Sequence, residues 1–127
     1  MADLRADIQN ALTYIEENYS ENITVEKIAS VSNYSESHFS KLFKQLTGES
    51  FTQYLKNYRL ERAADRIRND KAKISDIAME CGFSNLSYFS RSFYEKFNAT
   101  PSAYRKIKVA ISDKEPQKTG TKKQGQL

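Results

Sequence analysis

Apolar residues recur on a helical period along most of the chain. Leu4, Ile8, Ala11, Leu12, Ile15 and Tyr19 share one stripe, while Asn10, Glu16, Glu17 and Asn18 lie on other faces. That spacing predicts an amphipathic first helix of about five turns. After the polar break Ser20-Glu21-Asn22, Thr24 is placed to cap a short helix carrying Val25, Ile28, Ala29 and Val31, ending near Ser32-Asn33. Ser35 caps the next helix, in which Phe39, Leu42, Phe43 and Leu46 stand at i, i+3, i+4 and i+7, and Gly48 supplies the stop.

Ser50 opens a longer segment that reaches Arg68 or Asn69, and here the stripe changes sides. Phe51, Tyr54, Leu55 and Tyr58 cluster on one face, whereas Leu60, Ala63, Ala64 and Ile67 cluster about half a turn of the helical wheel away. A rod that serves two separate cores satisfies this shift. Burial all round in a single core is the competing reading, opposed by Lys56, Arg59, Arg62, Asp65 and Arg66, which are costly to bury.

The second half of the chain repeats the first. Ile28-Ala29 matches Ile77-Ala78 and Tyr34-Ser35 matches Phe83-Ser84 at one constant offset; thereafter the offset grows by one, and Phe39, Ser40, Lys41, Phe43 and Tyr54 answer to Phe89, Ser90, Arg91, Phe93 and Tyr104. One extra residue is therefore expected in the second turn, among Asn85, Leu86 and Ser87, with Ser75 and Ser84 as the caps of the second unit. Thr100-Pro101 opens a last short helix, with Thr100 as cap and Pro101 in the first position. From Ser112 the Lys, Gln, Gly and Thr composition offers no apolar face and reads as a disordered basic tail. The expected organisation is all-α: a first unit over residues 1–49, a linking helix over 50–69, a second unit over 70–111 and the tail over 112–127.

Composition narrows the function. A length of 127 residues suits one modest domain or two very small ones, and 20 Lys and Arg against 16 Asp and Glu give a net charge of +4, compatible with nucleic acid without demonstrating it. With 4 Gly and 2 Pro, an all-β barrel is disfavoured. The single cysteine, Cys81, cannot form an internal disulfide, and no signal-peptide core or membrane-length apolar run is visible, so the expected location is cytoplasmic. Cys81 precedes Gly82 in the second turn and reads as a small buried packing residue. His38 is the one histidine and has no companions at ligand spacing, so no metal is expected. No cofactor motif, phosphate loop or nucleophile-base pairing suggests an enzyme.

A short helix, a tight turn and a second helix with a polar outer face is the geometry of a helix-turn-helix, whose second helix can enter the major groove of DNA. Ser37, Ser40, Lys41 and Lys44 form the outer stripe of the first such helix; Ser87, Ser90, Arg91 and Tyr94 form that of the second. Small hydroxyls permit close approach, and a cation can donate to guanine O6 and N7 or to phosphate. An ordinary solvated face is the plain alternative. Thr24, Ser35, Ser75 and Ser84 stand where a phosphate could meet free backbone N–H groups, or are simply caps. His38 is either a phosphate contact or a surface residue, and Tyr88 and Tyr94 are candidates for the DNA backbone, while Phe89, Phe93 and Phe97 are core. Arg59, Arg62, Arg105 and Lys106 are candidates for phosphate clamping, with solvated surface as the alternative. Lys114, Lys118, Lys122 and Lys123 add loose positive charge to the tail.

The run Ile77-Ala78-Met79-Glu80-Cys81-Gly82-Phe83-Ser84, followed by Ser87-Tyr88-Phe89-Ser90-Arg91-Ser92-Phe93 and Thr100-Pro101-Ser102-Ala103-Tyr104-Arg105, resembles the signature of the AraC/XylS family of bacterial transcription regulators. Arg59-Leu60 and Ala63 fit the family's long helix, and the resemblance covers about residues 5 to 108. It implies seven helices, two helix-turn-helix subdomains joined by the long helix, and two recognition helices in successive major-groove segments of double-stranded DNA. Among family members, this chain looks like the short standalone activators of the multiple-antibiotic-resistance type.

By position, the resemblance implies base reading by Ser37, Ser40 and Lys41 in the first unit and by Leu86, Ser87, Ser90 and Arg91 in the second. Thr24, Ser35, His38, Lys44, Ser75, Ser84, Tyr88, Tyr94 and Arg105 complete the expected phosphate set. Ser37 stands where short activators have a bulky aromatic, and Leu86 where a glutamine is common, so target sequences do not transfer. Leu86 is either a contact for a thymine methyl or part of the core below Phe89. The resemblance further implies activation through contact with RNA polymerase; the two unequal readers imply an asymmetric site, bound by a monomer if the chain is complete. A helical adaptor that binds protein without DNA specificity is the alternative, with the acidic outer side of the first helix (Asp7, Glu16, Glu17) as its contact.

Overall fold

The computed structural model describes residues 4–114, with side chains from 5 to 107. The stripes resolve into seven helices among the described residues: α1 (Leu4–Asn18), α2 (Val25–Val31), α3 (Glu36–Thr47), α4 (Phe51–Asn69), α5 (Ile74–Glu80), α6 (Leu86–Phe97) and α7 (Pro101–Lys114). α1 ends at Asn18, one residue before Tyr19, the last member of its stripe. α7 continues through Ser112, Asp113 and Lys114, past the expected start of the tail; the rest of that segment, 115–127, lies outside the described residues.

The change of sides along α4 has the consequence expected of it. Phe51 and Leu55 join Ile8, Ile15, Ile28, Phe39 and Phe43 in one core, while Leu60, Ala63 and Ile67 join Ile77, Phe89 and Phe93 in another. The aromatic packing repeats with the sequence. Phe43 meets Tyr54 edge-on at 5.3 Å, and Phe93 meets Tyr104 in the same way at 5.3 Å. Leu46, expected to close the inner stripe of α3, is instead 42% exposed.

Both turns use a left-handed residue, Asn33 at φ 65° and Gly82 at φ 104°, and in both the residue after it donates back into the preceding helix (Tyr34 N to Ala29 O, 3.0 Å; Phe83 N to Ala78 O, 2.9 Å). Two expected caps are corrected. α5 is preceded by Lys73, which has no side-chain oxygen to offer, and Ser75 lies inside the helix. α6 is capped by Asn85, whose Oδ1 accepts from Tyr88 N at 2.8 Å, so Ser84 is not a cap and is itself the extra residue, one place earlier than expected. Thr24, Ser35, Ser50 and Thr100 cap as expected. Asn85→Ala is therefore expected to cost about 1 kcal/mol in denaturant unfolding, against less than about 0.5 kcal/mol for Ser84→Ala.

Candidate nucleic-acid interface

α3 and α6 each sink an aromatic pair, Phe39 with Phe43 and Phe89 with Phe93, into their own core, and this fixes which face points outward. Ser37, Ser40, Lys41 and Lys44 are all exposed on α3; Leu86, Ser87, Arg91 and Tyr94 are exposed on α6, with Ser90 half-buried beside them. Gly48 and Asn98 end the two helices in the same left-handed conformation, at φ 86° and 58°. The two outer stripes are thus equivalent in frame, and in residue type at Ser37/Ser87, Ser40/Ser90 and Lys41/Arg91, with Lys44 answered by Tyr94. Leu86 opens α6 at 48% exposure, which removes it from the core.

Tyr88 stands between two cations. Its ring lies 5.9 Å from the Arg91 guanidinium carbon on the same helix and 6.0 Å from Lys56 Nζ on α4. His38 is exposed, with its ring edge-on to Tyr34 at 4.7 Å. The Tyr34 hydroxyl donates to Asp7 Oδ2 at 2.6 Å, a bond that raises the phenol's pKa and takes Asp7 out of the acidic trio on α1; Glu16 and Glu17 remain exposed. Thr24 and Ser35 accept from the backbone of Lys27 and His38. Among the described residues, no group of His, Cys, Asp and Glu could hold a metal ion, and no helix is long and apolar enough to cross a membrane.

The arginines expected at phosphates have internal roles. Arg105 donates through Nε to Ile67 O at 3.0 Å and through Nη2 to Asp70 O and Ala72 O, both at 2.9 Å, which straps α7 to the end of α4. Carbonyls left bare where a helix ends are natural acceptors for a planar fork of donors, which gives Arg105 a role inside the fold that needs no phosphate. Arg59 does the same one unit earlier, donating to Tyr19 O and Glu21 O, each at 2.7 Å, just past the end of α1. Arg62 pairs with Asp65 at 2.7 Å and faces the Tyr58 ring, whereas Lys106 is exposed.

Arg59 is also part of a joint between the halves. A Cβ on Gly82 would fall 2.6 Å from Arg59 Nε and 2.9 Å from Tyr19 O, so the second turn rests directly on the guanidinium and the carbonyl it holds. Tyr19 itself packs against both cores. Burial lowers the Arg59 pKa, and among the described residues it has no carboxylate partner. Sequence reasoning missed this joint. Its one available signal was that Arg59 falls between Tyr58 and Leu60, where the stripe of α4 changes sides.

Cys81 is fully buried, and burial pushes its thiol above the usual range. A buried neutral thiol is a poor nucleophile. Alkylation of the native protein is expected to be slow and to become fast only under denaturant; rapid labelling under native conditions would contradict the structure.

Two helix-turn-helix units with matching outward stripes, set on one shared rod, define a class of tandem DNA-binding modules. A family model described as a helix-turn-helix domain matches residues 28–107. The regulatory protein SoxS of Escherichia coli is 33% identical over 98 residues, covering 77% of this chain and 92% of that protein. The lactose operon transcription activator of Staphylococcus xylosus is 37% identical over 99 residues, covering 78% of this chain and 36% of that protein. Among solved structures, an AraC-type transcriptional regulator from Chromobacterium violaceum superposes with a TM-score of 0.78 at 28% identity, over 83% of this chain and 94% of that one. The DNA-binding domain of AdpA, in complex with its target DNA, shares the fold at 24% identity with a TM-score of 0.77, over 88% of this chain and 98% of that one. The chain belongs to the AraC/XylS family of DNA-binding transcription regulators.

Proposed function

We propose that the chain places α3 and α6 in successive major-groove segments on one side of a duplex, reading an asymmetric site as a pseudo-dimer. The observation that carries this reading is the pairing of the two outer stripes: Ser37, Ser40 and Lys41 against Ser87, Ser90 and Arg91, in the same helical frame on units that share one rod, all exposed except the half-buried Ser90. Leu86, exposed at the start of α6, joins the base-reading set as a contact for a thymine methyl. Lys44, Tyr88, Tyr94, His38 and the exposed hydroxyl of Ser84 border the stripes and serve the backbone. Thr24 and Ser35 contribute the N-terminal turns that they cap.

The chain works as a monomer on DNA, in the cytoplasm, and activates by touching RNA polymerase through the exposed Glu16 and Glu17 side of α1. In this reading residues 1–49 form the first unit, 50–69 the rod and 70–111 the second unit; the rod's supply of Phe51 and Leu55 to one core and of Leu60, Ala63 and Ile67 to the other supports it. No catalysis is assigned to it.

Selection of bound sequences from a random duplex pool tests the reading. Two unlike elements, centred about one helical turn apart, are expected. Recovery of a palindrome, or no enrichment at low salt, would overturn it.

A further inference from the structure

Between the two units lies a cleft of about 300 Å³ whose walls come from both: Thr52, Lys56 and Arg59 on α4, and Ser84, Asn85 and Tyr88 on the second unit. None of its lining residues is acidic. It shares Phe51 and Thr52 with a second groove that runs along Ser40, Lys41 and Lys44 on α3, and that groove is also free of acids. On the other side, Tyr88 leads from the cleft to Arg91. Two acid-free depressions that share Phe51 and Thr52 therefore lead from α3 to Tyr88, and the cleft lies between the two reading helices.

The cations in the cleft have different commitments. Arg59 is spent on Tyr19 O and Glu21 O. Lys56 makes no ion pair among the described residues, and its ammonium lies 6.0 Å from the centroid of the Tyr88 ring. Ser84 is exposed and free of the capping role that Asn85 performs. A free ammonium and a spare hydroxyl lining the same cleft suit one tetrahedral anion.

We propose that this cleft is a phosphate site, with Lys56 as its cation, that receives the DNA backbone where it passes between the two major-groove segments. This rests on the two-helix reading above and adds to it the site that holds the centre of the duplex. The one extra residue of the second turn, Ser84, then has a purpose: it sets a hydroxyl on the cleft wall.

The test uses the full chain and the duplex recovered by selection. Lys56→Met keeps the aliphatic stem and removes the charge, and Lys56→Arg restores a cation. Lys56→Met is expected to bind about three- to tenfold more weakly near 0.1 M salt, to reduce the slope of log affinity against log salt by about one, and to leave sequence preference intact. Lys56→Arg is expected to recover the slope. Neutral methylphosphonate at the phosphates between the two elements is expected to weaken wild-type binding and to leave Lys56→Met unaffected. An unchanged slope in Lys56→Met, or equal sensitivity of both proteins to the central methylphosphonates, overturns the proposal. Arg91→Ala on the same duplex separates the two readings. If it relaxes sequence preference while Lys56→Met keeps the full slope, only the cleft is wrong; if wild type shows no preference, both fall.

Discussion

Gly82→Ala is expected to lower the stability of the protein by about 2–4 kcal/mol, while Gly48→Ala costs only about 1–2 kcal/mol. Both glycines are left-handed, at φ 104° and 86°, so both substitutions carry a backbone penalty. Their surroundings differ. A Cβ at 48 meets nothing within 4 Å, whereas one at 82 meets Arg59 Nε at 2.6 Å and the Tyr19 carbonyl oxygen at 2.9 Å. A flexible side chain could swing away, yet this guanidinium is held by two hydrogen bonds, and the carbonyl is backbone.

The turn must therefore lift off the joint, and the angle between the units changes with it. Arg59→Ala removes one of the two obstacles, so Gly82→Ala should cost less in that background. A coupling of about 0.5–3 kcal/mol in the double-mutant cycle is expected. Equal costs at positions 48 and 82 in chemical denaturation would show that the close approach contributes nothing.

Lys41→Ala and Arg91→Ala are each expected to lose about 1–3 kcal/mol of specific affinity, roughly five- to 150-fold in Kd, with no loss of fold. Both side chains are exposed, and neither forms an ion pair among the described residues, so removing them leaves no buried group unsatisfied. Arg91 has the more specific chemistry, because its planar fork can bond two acceptors of one guanine, whereas Lys41 presents a point charge. Arg91→Lys should therefore fail to restore selectivity although it restores charge. Titration of wild type and variants against the selected duplex and against single-base changes checks this; unchanged affinity and preference in both alanine variants would remove these residues from the reading surface.

Legibility in the sequence followed the range of the interactions involved. The stripe of α4 could be read because Phe51, Leu55, Leu60 and Ile67 obey a local period, and the repeat because Phe39 and Phe43 reappear as Phe89 and Phe93. The outward position of Lys41 and Arg91 followed from the same aromatics, since a face opposite a buried pair has nowhere else to point. The caps of the second unit were misread because serine is a good cap in any context, and residue type alone cannot show that Asn85 had taken over from Ser84. The strap made by Arg105 was not legible because a guanidinium suits a phosphate and a row of carbonyls equally well, and its acceptors lie 33 to 38 residues away along the chain.

The amino-acid order by itself determined the helices, the doubling of the unit and the two outward stripes, because each depends on periodicity or on self-similarity that can be counted along the chain. The tertiary structure alone decided how the two units meet: which arginines are used internally, why a side chain at residue 82 would collide with its surroundings, and that Lys56 and Ser84 line one cleft. Those facts depend on atoms brought within 3 to 6 Å of one another by the packing of two cores on a single helix, and no local pattern encodes such distances.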